Sequence, residues 1–134
     1  PVLAAFNAAG WTYRIDFDYM GGLSKKLNMS CIGATNYSQK TIYLSEASAT
    51  LHEFGHFLDW MLGFPAEYEQ LFRAEASAAP LRNYAKTDSR EYFADCFAYW
   101  VKYAENANAI SLLQECAPMT YRYMEDLMRI ANRL

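Results

Sequence analysis

The chain holds two histidines, and both lie in one five-residue stretch, His52-Glu53-Phe54-Gly55-His56. Two imidazoles at this spacing can serve one ion only if the backbone between them is helical. A helix places residues i and i+4 one turn apart on the same face, so both rings point to one spot. The stretch therefore commits the middle of the chain to a helix with a functional face. It also places Glu53 beside the two rings, where a carboxylate can take a proton from a water on the ion. Zinc is the ion this donor set suits, and a hydrolytic zinc site carries three protein ligands and one open position. No third histidine exists, so the missing ligand must be a carboxylate or a thiolate.

Other chain-wide features narrow the class. At 134 residues the chain is the size of one domain and can bury a core. Its 53% hydrophobic and 20% charged content is that of a globular protein. A net charge of −3 gives no reason to expect a nucleic acid, and runs such as Lys25-Lys26 are too short to track phosphates. No apolar run reaches membrane-spanning length. The start at Pro1 carries no signal-peptide pattern, and residues 1–134 are expected to be one catalytic domain excised from a longer chain. Cys31, Cys96 and Cys116 form no CxxC pair; Cys96 and Cys116 fall in apolar helical patterns and are expected to be small core residues.

Periodicity predicts the elements. Residues 1–9 read as a short helix before Gly10. Trp11–Phe17 alternates like a half-buried strand, and Asp18–Met29, with Gly21-Gly22, reads as a loop. Ser30–Thr35 and Lys40–Leu44 read as a hairpin. From Glu46 the pattern turns helical, with Ser45 as N-cap and Gly63-Phe64-Pro65 as stop. Further helices are expected from Pro65 to Ala79, from Ser89 onward, and over Asn106–Arg133 with a break at Pro118. Strands first and helices afterwards predict an α+β fold: a small mixed sheet packed on the His52–His56 helix, then a mainly helical C-terminal half.

Among the downstream acids, Glu91 is the best third ligand. It opens a helix and has Asp95 one turn later on the same face, and a metal-bound imidazole usually donates its second N–H to such a carboxylate. Asp59, one turn from His56, is a second candidate for that orienting role. The competing explanation of Glu91 is an N-terminal helix glutamate favoured by the dipole behind a cap at Asp88 or Ser89. The oxyanion formed in peptide hydrolysis also needs a donor besides the ion. With no histidine left this must be Tyr, Arg, Lys or a backbone N–H. Of eleven tyrosines, Tyr84 stands out by preceding Glu91 by seven residues.

Together, His52-Glu-Phe-Gly-His56 and Tyr84-x6-Glu91-x2-Ala94-Asp95 resemble the catalytic domain of anthrax lethal factor and the related clostridial Pro-Pro endopeptidases, over about Ala34 to Arg133. The metzincin pattern is absent, since Asp59 and Leu62 stand where it needs Gly and His. The resemblance implies a zincin-like gluzincin peptidase with one catalytic Zn2+ held by His52, His56 and Glu91. It implies Glu53 as general base, Tyr84 as oxyanion or leaving-group donor, and a peptide substrate extended along an edge strand near Cys31–Thr35. It further implies a secreted or extracellular, toxin-related enzyme, expected to be a monomer. One departure is Asp95, where lethal factor has a glutamate. Two other classes stay open: a catalytically silent zinc-binding domain, against which the retention of all five chemical positions argues, and a peptidase effector module of a larger toxin, which would use the same chemistry. No residue read from the sequence establishes a proline preference.

Overall fold

The computed structural model describes residues 2–131. A short helix α1 (Val2–Ala8) leads into strand β1 (Thr12–Ile15), helix α2 (Phe17–Leu27), and strands β2 (Gly33–Asn36) and β3 (Thr41–Leu44). One 3-10 turn (Ala47–Ala49) then feeds α3 (Thr50–Met61), which carries both histidines. Helix α4 (Ala66–Glu75), a second 3-10 turn (Asn83–Lys86), α5 (Ser89–Lys102), α6 (Ala107–Cys116) and α7 (Pro118–Ala131) complete the fold. The sheet has the order β1-β3-β2, with β1 parallel and β2 antiparallel to β3. The architecture is thus α+β, a small mixed sheet on one helix followed by a helical half, as the sequence pattern predicts.

Beside the sheet lies an aromatic cluster of Phe6, Trp11, Ile42, Leu44 and Phe57. The larger core, under α4, α5 and α7, is built on Leu58, Tyr68, Tyr92, Phe93, Leu113 and Met124. Helix α3 contributes to both, which fixes it between sheet and helical half. Cys96 is fully buried in the second core, whereas Cys116 is only half-buried; both thiols are free. Helix α7 begins at Pro118, a residue suited to a first helical turn, and the buried Glu75 carboxylate accepts from the N–H groups of Met119 (3.0 Å) and Thr120 (2.7 Å).

Four local expectations are corrected. Asp18–Met29 is mostly helix rather than loop. Asp16 caps α2 by accepting from Tyr19 N–H at 2.9 Å, Met20 is buried beneath it, and Asn28 closes it in the left-handed region at φ +53°. Gly21 and Gly22 are accommodated because both face open space, where only propensity is lost. Ser45 does not cap α3; the 3-10 turn intervenes, and Ser45 Oγ donates to Ile32 O. Finally, β1 is exposed along its length rather than half-buried, since it forms the outer edge of the sheet opposite β2. Helix α4 also ends at Glu75, earlier than Ala79, and the last residues of the expected tail helix lie outside the described residues.

Candidate metal centre

Two close approaches set the site. A Cβ on Gly55 would lie 2.7 Å from Ala94 Cα and 2.8 Å from its carbonyl oxygen, so α3 and α5 touch backbone to backbone at this level. A Cβ on Gly33 would lie 2.9 Å from Ala49 Cβ and from Glu53 Cγ, so β2 rests directly on the first turns of α3. Only glycine permits either contact. The first brings α5 near enough for Glu91 to reach the histidines, and the second brings the edge strand over Glu53.

At the crossing, the expected ligands converge. Glu91 Oε2 lies 2.9 Å from His52 Nε2 and 3.2 Å from His56 Nε2, and the two Nε2 atoms are 3.1 Å apart. Among the described residues, His52, His56 and Glu91 form the group of His, Cys, Asp or Glu side chains able to hold a metal ion. Donors placed 2.0–2.1 Å from a zinc ion at tetrahedral angles lie about 3.3 Å from one another. The observed triangle matches that spacing to within a few tenths of an ångström, so the residues fit one small ion with a position left open. Helix capping and ligation do not compete at Glu91: Asp88 Oδ1 accepts the backbone N–H of Glu91 at 2.9 Å, leaving its carboxylate free to turn toward the rings.

The surroundings favour positive charge at this spot. Burial alone would pull the His52 pKa down, but the Asp95 and Glu91 carboxylates overcome it and lift it to about 9. Burial acts to raise Glu91, yet its contacts with His52 and His56 hold it at about 2. His52 Nδ1 lies 2.5 Å from Asp95 Oδ1, which orients the ring so that Nε2 faces inward. Asp95 is clamped in turn by Arg82, which donates from Nε to Oδ2 (2.7 Å) and from a terminal nitrogen to Oδ1 (3.1 Å). Burial opposes the Asp95 charge, and these two partners hold its pKa below the usual carboxylate range.

Asp59 behaves differently. It is 3% exposed, beside His56, but the His56 Nδ1 atom is buried without a hydrogen-bond partner. Burial pushes the Asp59 carboxyl up to about 6 against the opposing pull of His56 and Arg90. The structure thus joins Asp95, and not Asp59, to a ligand imidazole.

Glu53 is also buried, and burial raises its pKa, partly countered by the Thr35 hydroxyl, which donates to Oε2 at 2.5 Å. Tyr84 faces the cleft with its ring centroid 6.1 Å from that of His52. Partial burial and the nearby Glu91 and Glu53 charges push its hydroxyl up to about 12. The Arg82 guanidinium lies 5.1 Å from the Tyr84 ring centroid, so one arginine supports both Asp95 and Tyr84. Sequence reasoning missed this role for Arg82 and had no reason to single out Thr35. A strand has two faces, and nothing in the spacing of Ser30–Thr35 says which of them meets Glu53.

Residues 15–127 match the family described as "Anthrax toxin lethal factor, N- and C-terminal domain". The chain belongs to the anthrax toxin lethal factor family. This lethal factor family member is 30% identical over 83 residues to a Pro-Pro endopeptidase of Clostridioides difficile (strain 630), a match covering 59% of this chain and 36% of that protein. The chain therefore spans about a third of that relative's length. Its fold is similar to the solved structure of a Pro-Pro endopeptidase from Paenibacillus alvei, with a TM-score of 0.69 and 18% identity over 94% of this chain and 82% of that one. The zincin-like α+β fold is thereby shown. Among the described residues, no helix is long and apolar enough to cross a membrane.

Proposed function

We propose that the protein is a zinc-dependent endopeptidase and that residues 1–134 form one catalytic unit. The observation that carries this reading is the convergence of His52 Nε2, His56 Nε2 and Glu91 Oε2 within 3.2 Å, with Glu53 and Tyr84 on the same cleft. Zinc held there would bring the pKa of a water toward about 7 and polarise a peptide carbonyl.

The chain's own groups supply the rest. Thr35 occupies Glu53 Oε2, which leaves Oε1 to take the proton of the attacking water and hand it to the leaving nitrogen. A base raised by burial suits both halves of that transfer. Tyr84, raised to about 12, keeps its proton at neutral pH and donates it as a hydrogen bond to the carbonyl oxygen as charge develops. Asp95, fixed by Arg82, holds the tautomer of His52. Strand β2 pairs with β3 on one side only, so its outer edge can align an extended peptide by backbone hydrogen bonds. Convergence of every chemical position in one cleft supports an active enzyme over a silent binding domain. Both relatives bear the name Pro-Pro endopeptidase, so proline-containing peptides are the first substrates to try.

The test compares wild type with Glu53→Gln on a mixed peptide library with zinc, with chelator, and with zinc restored. Wild type should cleave reversibly with zinc, while the variant should bind zinc equally and lose roughly 10²–10⁴-fold in turnover. Cleavage by Glu53→Gln at the wild-type rate overturns the assignment of the base.

A further inference from the structure

We infer that the far end of the cleft, through Lys102, reads a carboxylate on the substrate about three to five residues from the scissile bond. This inference rests on the peptidase reading above. The cleft is a cavity of about 500 Å3 that runs from His52 and Glu53 past Leu51 and Leu81 to Tyr99, Lys102 and Tyr103.

Its charges can be accounted for one by one. The Glu53 carboxylate accepts from Thr35, and Asp95 is held by His52 and Arg82. Arg82 is in turn committed to Asp95 through two hydrogen bonds. Of the two basic side chains on the lining, Arg82 is paired with Asp95, whereas Lys102 has no carboxylate within ion-pair distance among the described residues. Its ammonium lies 5.4 Å from the centroid of the Tyr103 ring, a cation–π contact that leaves its N–H groups to a further acceptor. Lys102 also sits in the last turn of α5, where the helix dipole favours a cation. That accounts for a lysine at the helix end but not for its place on the cleft wall.

Helix geometry gives the reach. Lys102 follows Asp95 by seven residues and Glu91 by eleven, so it lies on the Asp95 face of α5, about 10 Å beyond the level of Asp95 and about 16 Å beyond that of Glu91, the two residues of α5 that flank the metal centre. An extended peptide advances about 3.3 Å per residue, so that span is about three to five residues. Leu51 and Leu81 line the same cleft and suit apolar side chains. The carboxylate can come from an Asp or Glu side chain or from the C-terminus of a short peptide, and the chemistry that Lys102 recognises is the same.

The experiment uses peptides that differ only by Glu, Gln or Lys at each position up to six residues either side of the cleaved bond. Each is made with a free or an amidated C-terminus. With the zinc enzyme, one position should favour Glu over Gln by roughly threefold to tenfold in kcat/KM, mainly through KM, and less so at high salt. In Lys102→Gln the ratio should fall to about one, and Lys102→Glu should favour Lys there. A preference confined to free C-termini assigns the contact to the terminal carboxylate. Direct binding of the same peptides to Glu53→Gln reads the contact without turnover, so loss of cleavage alone counts against the peptidase reading and not against Lys102. Equal binding of Glu and Gln peptides at every position and with either terminus, or a preference that survives in Lys102→Gln, overturns the inference.

Discussion

Replacing Gly55 by alanine tests whether the backbone contact of α3 and α5 builds the metal centre. The added Cβ would fall 2.7 Å from Ala94 Cα, 2.8 Å from its carbonyl oxygen and 3.2 Å from its carbonyl carbon. Unstrained contacts of this kind are about 3.5–4.0 Å, so α5 must retreat by roughly 1 Å at this level. Both partners are helical backbone, and no side chain can rotate away to relieve the clash. Overpacking of this kind costs about 1–3 kcal/mol, set against a gain of up to about 1 kcal/mol from replacing a mid-helix glycine. The net expectation is about 1–2 kcal/mol of lost stability, which for a domain of this size lowers the Tm by roughly 4–10 °C. Function should suffer more than stability. Glu91 is on α5, one turn before Ala94, and a 1 Å retreat separates its carboxylate from the two imidazoles. Zinc affinity should fall by tenfold or more. Calorimetry of the metal-free protein and competition against a zinc-binding dye measure the two effects separately. A Gly55→Ala protein with wild-type Tm and wild-type zinc affinity would refute the argument that this approach positions Glu91.

Three other perturbations read neighbouring parts of the site. Tyr84→Phe should retain zinc and lose about 2–4 kcal/mol of transition-state stabilisation, seen as a fall in kcat of roughly two to three orders of magnitude; unchanged kcat would move the oxyanion donor elsewhere. Arg82→Gln leaves Asp95 with His52 alone and should weaken zinc binding by about 10–100-fold, as loss of a group that orients a ligand does; equilibrium dialysis against zinc at the wild-type value would show that Asp95 needs no clamp. Asp59→Asn concerns the metal-free protein and pH. The folded-state pKa of about 6 exceeds the ordinary 3.8, so the folded state binds the proton more tightly. Stability therefore falls as pH rises from 3.8 to about 6 and stays lowered above it. The variant should be more stable than wild type by about 1–3 kcal/mol at pH 7.5 and equal to it below pH 4, in urea titrations at the two pH values; equal stability at pH 7.5 would show that the carboxylate is not strained there.

The order of most elements and the candidate ligand set that converges at one point were legible because each follows from a rule acting over a few residues. The i, i+4 spacing of His52 and His56 demands a helix, and a carboxylate opening a later helix is the candidate for the missing ligand. Helix α2 was misjudged because Gly21-Gly22 was weighed as a loop signal. Asp16, Lys25, Lys26 and Asn28, the cap and end signals of the same helix, were not weighed against it. Arg82 and Thr35 were out of reach for a different reason. Arg82 meets Asp95 across thirteen residues, through the 3-10 turn Asn83–Lys86 and the start of α5, a path that no periodicity specifies, and Thr35 meets Glu53 across eighteen. The same distinction separates Asp95 from Asp59. Both lie one turn from a ligand on a shared helix face, so spacing treats them alike. Asp95 is aimed at His52 Nδ1 by the crossing of α5 over α3, a tertiary angle, while Asp59 shares a helix with His56, and no hydrogen bond joins it to the buried Nδ1 of that ring. A sequence thus names the groups that can bind an ion. What fixes their orientation is the crossing of two helices at Gly55 and Ala94.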